Sequence, residues 1–118
     1  MPRILIVDDE PLIAIMVAEW VQDLGHEVAG PCHNAASALA QVEAEPPDAA
    51  IVDVKLGSGS GYTVADCLAK KKIPFVFATG HAEGSLLPQF SGTPVLVKPY
   101  DFEDVGAAIG KMMGNGAS

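Results

Sequence analysis

The stretch AAIVDVKLG, residues 49–57, determines how the rest of this sequence is interpreted. Four small or apolar residues lead directly to an aspartate, Asp53, and the chain then becomes rich in glycine and serine. A continuous apolar run that stops at a turn is typical of a strand buried on both faces of a parallel sheet. Ligands of open parallel sheets bind beyond the carboxyl ends of the strands, so Asp53 is predicted to lie at a functional site.

Two other apolar runs end in charged residues in the same way. Residues 4–7 lead to Asp8 and Asp9, and residues 94–97 lead to Lys98. Right-handed crossovers place the carboxyl ends of all parallel strands at one edge of the sheet. The residues expected at this edge are Asp8, Asp9, Asp53, Thr79 and Lys98. The sequence therefore predicts a site built from carboxylates, one hydroxyl and one amine.

The alternation of strand and helix patterns predicts an α/β fold, a parallel sheet with helices on both faces. Strands are expected at residues 3–7, 27–31, 49–53, 75–78 and 94–97. Helices are expected at about residues 11–24, 35–45, 62–72 and 102–112, with a short or distorted one between the last two strands. Residues 57–61, all glycine or serine, predict a flexible loop.

Apolar residues at helical spacing predict which helix faces are buried. In the first helix these are Leu12, Ile13, Met16, Val17, Trp20, Val21 and Leu24. In the last helix they are Phe102, Val105, Ile109 and Met112. Asn34 and Asp101 are suited to cap the second and the last helix, and Gly25 is suited to end the first.

Composition and charge limit the possible functions. The 118 residues suffice for one domain, and 49% are hydrophobic, so the chain is expected to fold. A net charge of -8 argues against nucleic acid or an anionic membrane as the main partner. The apolar runs are too short to span a membrane, and residues 8–10 interrupt any signal peptide. Cys32 and Cys67 have no paired spacing, which favours reduced thiols and a cytoplasmic location. His26 and His33 are interpreted as plain surface residues without a metal role.

Carboxylates gathered at one sheet edge have a definite chemistry. They repel one another unless a positive charge lies among them. An all-oxygen site favours Mg²⁺, which binds one or two carboxylates directly and keeps several waters. A carboxylate beside such an ion can attack phosphorus and form an aspartyl phosphate. Phosphoryl transfer requires charge neutralisation, which Lys98 and the hydroxyl of Thr79 are placed to supply.

Four short motifs occur in the order of a known family. They are ILIVDDE at residues 4–10, IVDV at 51–54, ATG at 78–80 and VKPY at 97–100. With these motifs the sequence resembles the receiver domain of a two-component response regulator over essentially its whole length. The resemblance implies a flavodoxin-like (βα)5 fold, a doubly wound parallel sheet with the strand order 2-1-3-4-5 in a single domain.

The resemblance also implies a role for each site residue. Asp53 is implied to be the phosphoacceptor, Thr79 the switch hydroxyl and Lys98 the amine that pairs with the phosphoryl group. The implied protein ligands of Mg²⁺ are Asp8, Asp9, Asp53 and the backbone carbonyl of Lys55. Of the first two, Asp9 is favoured as the direct ligand. The family further implies a cis peptide bond between Lys98 and Pro99.

Some positions depart from the usual receiver pattern. Val95 stands where receivers usually carry an aromatic residue that turns inward after phosphorylation, and Gly57 stands where most have proline. The tetrapeptide FATG at residues 77–80, with this missing aromatic residue, resembles the FATGUY subgroup of stand-alone alphaproteobacterial receivers. Lys55 and His81 occupy positions that flank the phosphoryl group in receivers. The hypothesis that follows is that Lys55 alters the phosphoryl lifetime, and the alternative is two solvent-facing side chains without effect.

The resemblance implies a signalling protein rather than an enzyme with an external substrate. The phosphoryl donor would be a sensor histidine kinase or a histidine phosphotransfer protein, and the output would be contact with another, unknown protein. Direct binding to nucleic acid or to a membrane is not expected, and the chain is expected to be a monomer or weak dimer. Residues 1–118 would form one receiver domain, either a protein of its own or a fragment of a larger regulator or hybrid kinase.

Three other functions fit parts of the pattern. A phosphatase of the haloacid-dehalogenase type also uses a nucleophilic aspartate, but it needs a second aspartate where Lys55 stands. A flavodoxin-like nucleotide or flavin module needs a phosphate-binding loop after the first strand, where residues 8–10 would repel phosphate in the absence of a metal. An interaction module that is never phosphorylated would not need the full set of site residues.

Overall fold

The centre of the fold is a parallel β-sheet. The structure, a computed structural model, describes residues 2–56, 59–80, 88–90 and 92–113. In these ranges the strands of the sheet are β1 Arg3–Val7, β2 Glu27–Cys32, β3 Ala49–Asp53, β6 Phe75–Thr79 and β7 Val95–Val97; β4 Lys55–Leu56 and β5 Gly59–Ser60 form a separate ribbon. The sheet order is β2-β1-β3-β6-β7. Numbered within this sheet alone, it is the predicted order 2-1-3-4-5, and the predicted fold class is confirmed.

Helices cover both faces of this sheet. The helical elements of the described ranges are α1 Pro11–Asp23, α2 Ala35–Ala44, α3 Gly61–Lys70, α4 Phe102–Met112 and a 3₁₀ turn at Pro88–Phe90. α1 packs against α4, and α2 packs against α3. The short or distorted helix predicted between β6 and β7 corresponds in part to the 3₁₀ turn, while residues 81–87, including Gly84, lie outside the described ranges. None of the described helices is long and apolar enough to cross a bilayer.

Buried side chains form two layers, one on each face of the sheet. Successive strand residues point to opposite faces, so β1 sends Leu5 to one layer and Ile4 and Ile6 to the other. The α2–α3 layer includes Leu5, Val42, Val52, Val64, Leu68 and Phe77, with Tyr62 packed against it. The α1–α4 layer includes Ile4, Ile6, Val17, Val21, Val105, Ile109 and Tyr100.

The ends of three helices follow the sequence predictions. Asn34 precedes α2, and its side-chain oxygen accepts a hydrogen bond of 2.8 Å from the N–H of Ser37. Asp101 precedes α4 and forms a reciprocal capping box with Asp104. Gly25 follows the end of α1 with a φ of 91°, a conformation that favours glycine. The predicted caps and the predicted stop are confirmed.

The predicted buried faces of α1 and α4 are partly wrong. In α1 the buried residues are Ala14, Val17 and Val21, a line with spacings of three and four. Leu12 and Met16 lie off this line and are exposed. In α4, Val105 and Ile109 are buried as predicted, but Phe102 at the first turn is exposed apart from an edge-on contact with Trp20. Helical spacing alone does not separate apolar residues on the buried face of a helix from those at its margin. The rotation of the helix about its axis exposes the marginal ones to solvent.

The segment predicted as a flexible loop contains ordered structure in its described part. Lys55–Leu56 pairs antiparallel with Gly59–Ser60, and α3 begins directly afterwards at Gly61. Leu56 is buried in the α2–α3 layer, which fixes the ribbon to the core. Gly57 lies outside the described ranges. Pairing in this ribbon places the start of α3 against the end of β3.

Candidate functional site

Four strands bring polar side chains to one edge of the sheet. These are Asp8 after β1, Asp53 at the end of β3, Thr79 at the end of β6 and Lys98 after β7. An open recess of about 380 Å³ lies over this edge, lined by Asp9, Glu10, Asp53, Lys55, Thr79, Gly80 and Lys98. The structure therefore brings the residues selected from the sequence together in space.

Lys98 is the positive charge at the centre of this site. Its Nζ donates hydrogen bonds to Asp53 Oδ2 and Glu10 Oε1, each at 3.0 Å, and lies 3.3 Å from Asp8 Oδ2. Only 17% of its side chain is exposed. Burial lowers the pKa of Lys98, but the hydrogen bonds to Glu10 and Asp53 and the nearby negative charges raise it to above its ordinary value. The amine is therefore protonated at neutral pH and contacts three carboxylates.

Asp53 is a buried carboxylate whose two oxygens have different partners. Oδ2 accepts from Lys98, and Oδ1 accepts a hydrogen bond of 3.2 Å from the backbone N–H of Lys55. Burial raises the pKa of Asp53, and the charge of Asp8 raises it further; together they outweigh the hydrogen bonds from Lys98 and Lys55. In the metal-free protein, folding therefore favours the protonated form of this carboxyl.

The acidic residues of the site suit a hard divalent cation. Oxygens of Asp8, Asp9, Glu10 and Asp53 lie within 4.8 Å of one another. Asp8 Oδ1 accepts the N–H of Glu10 at 2.9 Å, whereas its buried Oδ2 has no hydrogen-bond donor among the described residues, only the charge contact with Lys98. Buried polar atoms are normally hydrogen-bonded. A buried carboxylate oxygen that lacks a hydrogen-bond donor and lies among other carboxylate oxygens fits the ligand preference of Mg²⁺.

Thr79 and Lys98 are joined through the backbone at this edge. The N–H of Lys98 donates to the carbonyl of Thr79 at 2.7 Å, and Thr79 is buried at the floor of the recess. The peptide bond between Lys98 and Pro99 is cis, as the resemblance implies. A second cis bond, Gly30–Pro31, is not anticipated by the sequence. His81, two residues after Thr79, lies outside the described ranges.

Sequence reasoning misses two side-chain contacts at this edge of the sheet, those of Glu10 and His33, and misjudges the exposure of His26, which precedes β2. Glu10 belongs to the first motif but is not predicted as a site residue, yet its carboxylate binds Lys98, 88 positions along the chain. His33 is exposed as predicted, but its Nδ1 lies 3.0 Å from the carbonyl oxygen of Asp8. His26 is half-buried, and its Nδ1 has no hydrogen-bond partner among the described residues, so the prediction of a plain surface position is wrong. No local pattern reveals these contacts because each depends on tertiary structure.

Gly61, the first residue of α3, packs directly against the backbone of Asp53. A Cβ atom at this position would overlap the carbonyl oxygen of Asp53 and would lie 3.1 Å from Val52 Cγ1. The N–H of Gly61 donates to the carbonyl of Val54 at 2.8 Å, which fixes the approach. Glycine therefore allows α3 to begin this close to the end of β3.

We expect Gly61→Ala to displace α3 from Asp53 and to lower the free energy of unfolding by about 1–3 kcal/mol, the usual cost of overpacking. Urea denaturation measures this loss. Gly110→Ala in α4 is the matched control, because a Cβ there meets nothing within 4 Å. That change should stabilise the helix by about 0.5–1 kcal/mol. Equal stability of Gly61→Ala and wild type would show that the close approach is not needed.

Comparison with known families decides the assignment. The family model described as the response regulator receiver domain matches residues 4–110. The chain belongs to the response regulator receiver family. The resemblance inferred from the four motifs is thereby confirmed, and the matched part of this receiver includes all the strand-end residues described above.

Individual relatives show how close the likeness is. The solution structure of SdrG from Sphingomonas melonis Fr1 is 42% identical and covers 96% of this receiver and 97% of its own chain, with a TM-score of 0.83. The BeF3-activated conformation of SdrG from Pseudomonas melonis Fr1 is 45% identical and covers 91% and 92%, with a TM-score of 0.78. The transcriptional regulatory protein PdtaR of Mycobacterium tuberculosis is 32% identical over 111 residues, 91% of this receiver and 54% of PdtaR. The receiver spans about half the length of the curated relatives that it matches.

This receiver has a group of aromatic rings beside Val95, the position where the family usually carries one. Tyr62 stacks on Phe90 and meets Phe77 edge-on, with ring centroids 5.4 Å apart in both pairs. Phe77 and Phe90 are 5.3 Å apart and nearly perpendicular. Val95 is half-buried and lies opposite Phe77 in the register of β6 and β7. Aromatic packing is therefore present beside Val95, although the residue itself supplies no ring.

Proposed function

We propose that this receiver accepts a phosphoryl group on Asp53 from the phosphohistidine of a sensor histidine kinase or a histidine phosphotransfer protein. The observation that supports this proposal is the pair formed by Asp53 and Lys98, whose side-chain atoms are 3.0 Å apart in an open recess bordered by further carboxylates. A nucleophile and a positive charge therefore lie together where phosphoryl oxygens would arrive. Family membership supports the same function, because receivers belong to two-component signalling.

The proposed reaction exchanges one bond to phosphorus for another. An oxygen of the Asp53 carboxylate bonds to phosphorus while the P–N bond to the donor imidazole breaks, and the imidazole nitrogen keeps the electron pair and takes up a proton. Lys98 then donates to a phosphoryl oxygen, and the hydroxyl of Thr79 donates to another. Water later attacks phosphorus, the bond to Asp53 breaks, and inorganic phosphate and a proton are released.

The acidic cluster gives this receiver its proposed metal site. The proposed ligands of Mg²⁺ are Asp8, Asp9, Asp53 and the backbone carbonyl of Lys55. When bound, the ion neutralises charge on the phosphoryl oxygens. Glu10 belongs to the same oxygen cluster but is paired with Lys98. The BeF3-activated conformation of the related SdrG also supports the proposal, since BeF3 bound to a carboxylate has the shape and charge of a phosphoryl group.

The direct test is to incubate the wild type with acetyl phosphate, in Mg²⁺ or in EDTA, and to measure the intact mass. We expect one phosphoryl group per chain with Mg²⁺ and almost none with EDTA. A chain that gains no mass with Mg²⁺ refutes the proposal. A chain that releases phosphate from many phosphomonoesters without keeping an adduct would instead be a phosphatase of the haloacid-dehalogenase type.

The exposed face of α1 is the surface proposed for docking of the phosphohistidine donor. Leu12 exposes 82% of its surface, Ile15 52% and Met16 39%. An apolar groove of about 350 Å³ lies beside them, lined by Glu10, Ile13, Met16, Lys98, Pro99 and Tyr100. Glu10 and Lys98 also line the phosphoacceptor recess, so the groove and the recess are adjacent. A donor docked on this face would therefore hold its imidazole near Asp53. Exposed apolar patches rimmed by polar residues mark protein interfaces.

Replacing Leu12 by aspartate is expected to slow phosphotransfer from a phosphorylated histidine phosphotransfer protein by about tenfold or more, because a charge in an apolar docking surface weakens binding. Incorporation from acetyl phosphate, which needs no docking, should be unchanged. Gln22→Asp adds the same charge at an exposed position about 15 Å further along α1, near its other end, and is the matched control. Equal slowing with both donors would locate the defect in the site and not in the docking surface.

Lys55 is expected to influence how long the phosphoryl group stays on Asp53. Its side chain is exposed and lines the recess, while its backbone N–H donates to Asp53. Lys55→Ala keeps this N–H and removes a charge that favours the attack of water, so we expect autodephosphorylation to slow by about 2- to 10-fold. The measurement is the loss of phosphoryl mass with time, with Lys111→Ala, outside the recess, as control. An unchanged rate would show that the side chain is a bystander.

A further inference from the structure

Both backbone polar groups of Asp8 are held by residues at the end of β2. Its N–H donates to the carbonyl of Cys32 at 2.9 Å, and its carbonyl oxygen lies 3.0 Å from Nδ1 of His33. The pairing of β1 with β2 ends at Val7 and Cys32, so His33 adds a side-chain hydrogen bond just beyond the strands. A backbone carbonyl can only accept a hydrogen bond, and therefore Nδ1 is the protonated nitrogen in this contact.

We propose that His33 is a positioning residue for the metal site, an inference that rests on the proposed function. The carbonyl that His33 contacts belongs to the peptide unit joining Asp8 to Asp9, both of them proposed ligands. A peptide unit is planar, so fixing its oxygen also fixes the direction in which the chain continues to Asp9. His33 thereby restrains the relative placement of two carboxylates without touching the ion.

The charges of this loop explain why such a restraint matters. Residues 8–10 are three consecutive acidic residues whose side-chain oxygens gather within one cluster. Their mutual repulsion favours separation, and the single positive charge of Lys98, which contacts Asp8 and Glu10, offsets only part of it. Glu10, at the start of α1, has no side-chain hydrogen bond that caps the helix. A hydrogen bond from another part of the chain to the backbone between the first two acids holds the loop in the geometry that a cation requires.

The first test needs no metal. Nitrogen NMR with long-range proton couplings identifies which ring nitrogen of a neutral histidine carries the proton. We expect the Nδ1–H tautomer for His33, because the carbonyl of Asp8 requires a donor at this atom. Finding the Nε2–H tautomer for neutral His33 would overturn the inference.

The second test is the Mg²⁺ affinity of matched variants, measured by isothermal titration calorimetry. Removal of groups that orient metal ligands typically weakens binding about 10- to 100-fold, and for a contact made through the backbone we expect His33→Ala to raise the Kd about 3- to 10-fold. His33→Asn should restore most of the affinity, because its amide nitrogen is as many bonds from Cβ as Nδ1 is. Asn34→Ala removes the α2 cap at the next position and should leave the Kd unchanged.

The results separate this inference from the proposed function. Wild type and His33→Ala binding Mg²⁺ equally would refute the role of His33 and leave the metal site intact. Equal weakening by His33→Ala and Asn34→Ala, or no rescue by His33→Asn, would reduce the effect to local stability and would also refute it. A wild type that does not bind Mg²⁺ would refute the proposed function and this inference together.

Discussion

Replacing Asp53 by asparagine is expected to abolish phosphoryl incorporation from acetyl phosphate. An amide does not supply the carboxylate oxygen that must bond to phosphorus. Asp8, the other buried carboxylate at this edge, binds the N–H of Glu10 through one oxygen and contacts Lys98 through the other. Intact mass measures the incorporation of the phosphoryl group. Asp23→Asn, a change at an exposed position of α1, is the control. An adduct that persists in Asp53→Asn would move the acceptor to another residue.

The same substitution is expected to stabilise the metal-free protein at neutral pH. Burial and the charge of Asp8 raise the pKa of Asp53 in the folded state. The folded protein therefore holds this proton more tightly than the unfolded chain, and its free energy of unfolding falls as the pH rises from the ordinary value of 3.8 through the raised pKa. Asparagine does not titrate. The stability advantage of Asp53→Asn should accordingly grow across this window and persist at neutral pH.

Urea denaturation in EDTA, at acidic and at neutral pH, measures this advantage. Saturating Mg²⁺ should stabilise the wild type by mass action, since the ion binds the folded chain. The gap between the two proteins should therefore narrow when the metal is added. An advantage of Asp53→Asn that shrinks with rising pH in EDTA would contradict the environment described for this carboxyl.

Removing the amine has the opposite effect on stability. We expect Lys98→Met to lower the free energy of unfolding by about 3 kcal/mol at neutral pH, because it leaves buried carboxylates without their cation. The pKa of Lys98 is raised, so its stabilising contribution is complete below the unfolded-state value of 10.5 and is lost only above the folded-state value. Urea denaturation tests this expectation. Lys70→Met, whose exposed partner Asp66 lies 3.3 Å away, should cost less than about 1 kcal/mol.

Lys98→Met should also separate metal binding from phosphoryl transfer. The amine contacts oxygens of Asp8 and Asp53 that a divalent cation would use, so the two cations compete for the same charge. We therefore expect Mg²⁺ to bind the variant more tightly in calorimetry. Phosphoryl incorporation should nevertheless slow about 100-fold or more, because the group that neutralises a phosphoryl oxygen is gone. Weaker Mg²⁺ binding by Lys98→Met, together with a normal rate of phosphoryl incorporation, would exclude competition between Lys98 and Mg²⁺.

The sequence predicts the position of the site because strand ends are local features. Each apolar run marks where a strand stops, and a parallel sheet places all such ends together. This logic locates Asp8, Asp53, Thr79 and Lys98 without any knowledge of tertiary contacts. The order of the strands and the cis bond before Pro99 came from the resemblance to receivers, and the structure confirms both.

Contacts between distant elements were not predictable in the same way. The Glu10–Lys98 pair and the approach of His33 to Asp8 depend on how loops lie above the sheet edge. The exposure of Leu12 depends on the rotation of α1 about its axis, which a broad apolar pattern leaves undetermined. The close approach of Gly61 to the backbone of Asp53 becomes apparent only once α3 is placed against β3. In each case the missing information is tertiary geometry and not local preference.

The two tyrosines of the chain lie in different packing environments beside the site. Tyr62, in α3, belongs to the group of aromatic rings with Phe77 and Phe90 on one face of the sheet. Tyr100, two residues after Lys98, is buried on the opposite face. Uniform incorporation of fluorotyrosine would therefore give two fluorine resonances, assignable by Tyr62→Phe. A single labelled sample could then reveal whether a chemical event at Asp53 is transmitted to one face of the sheet or to both.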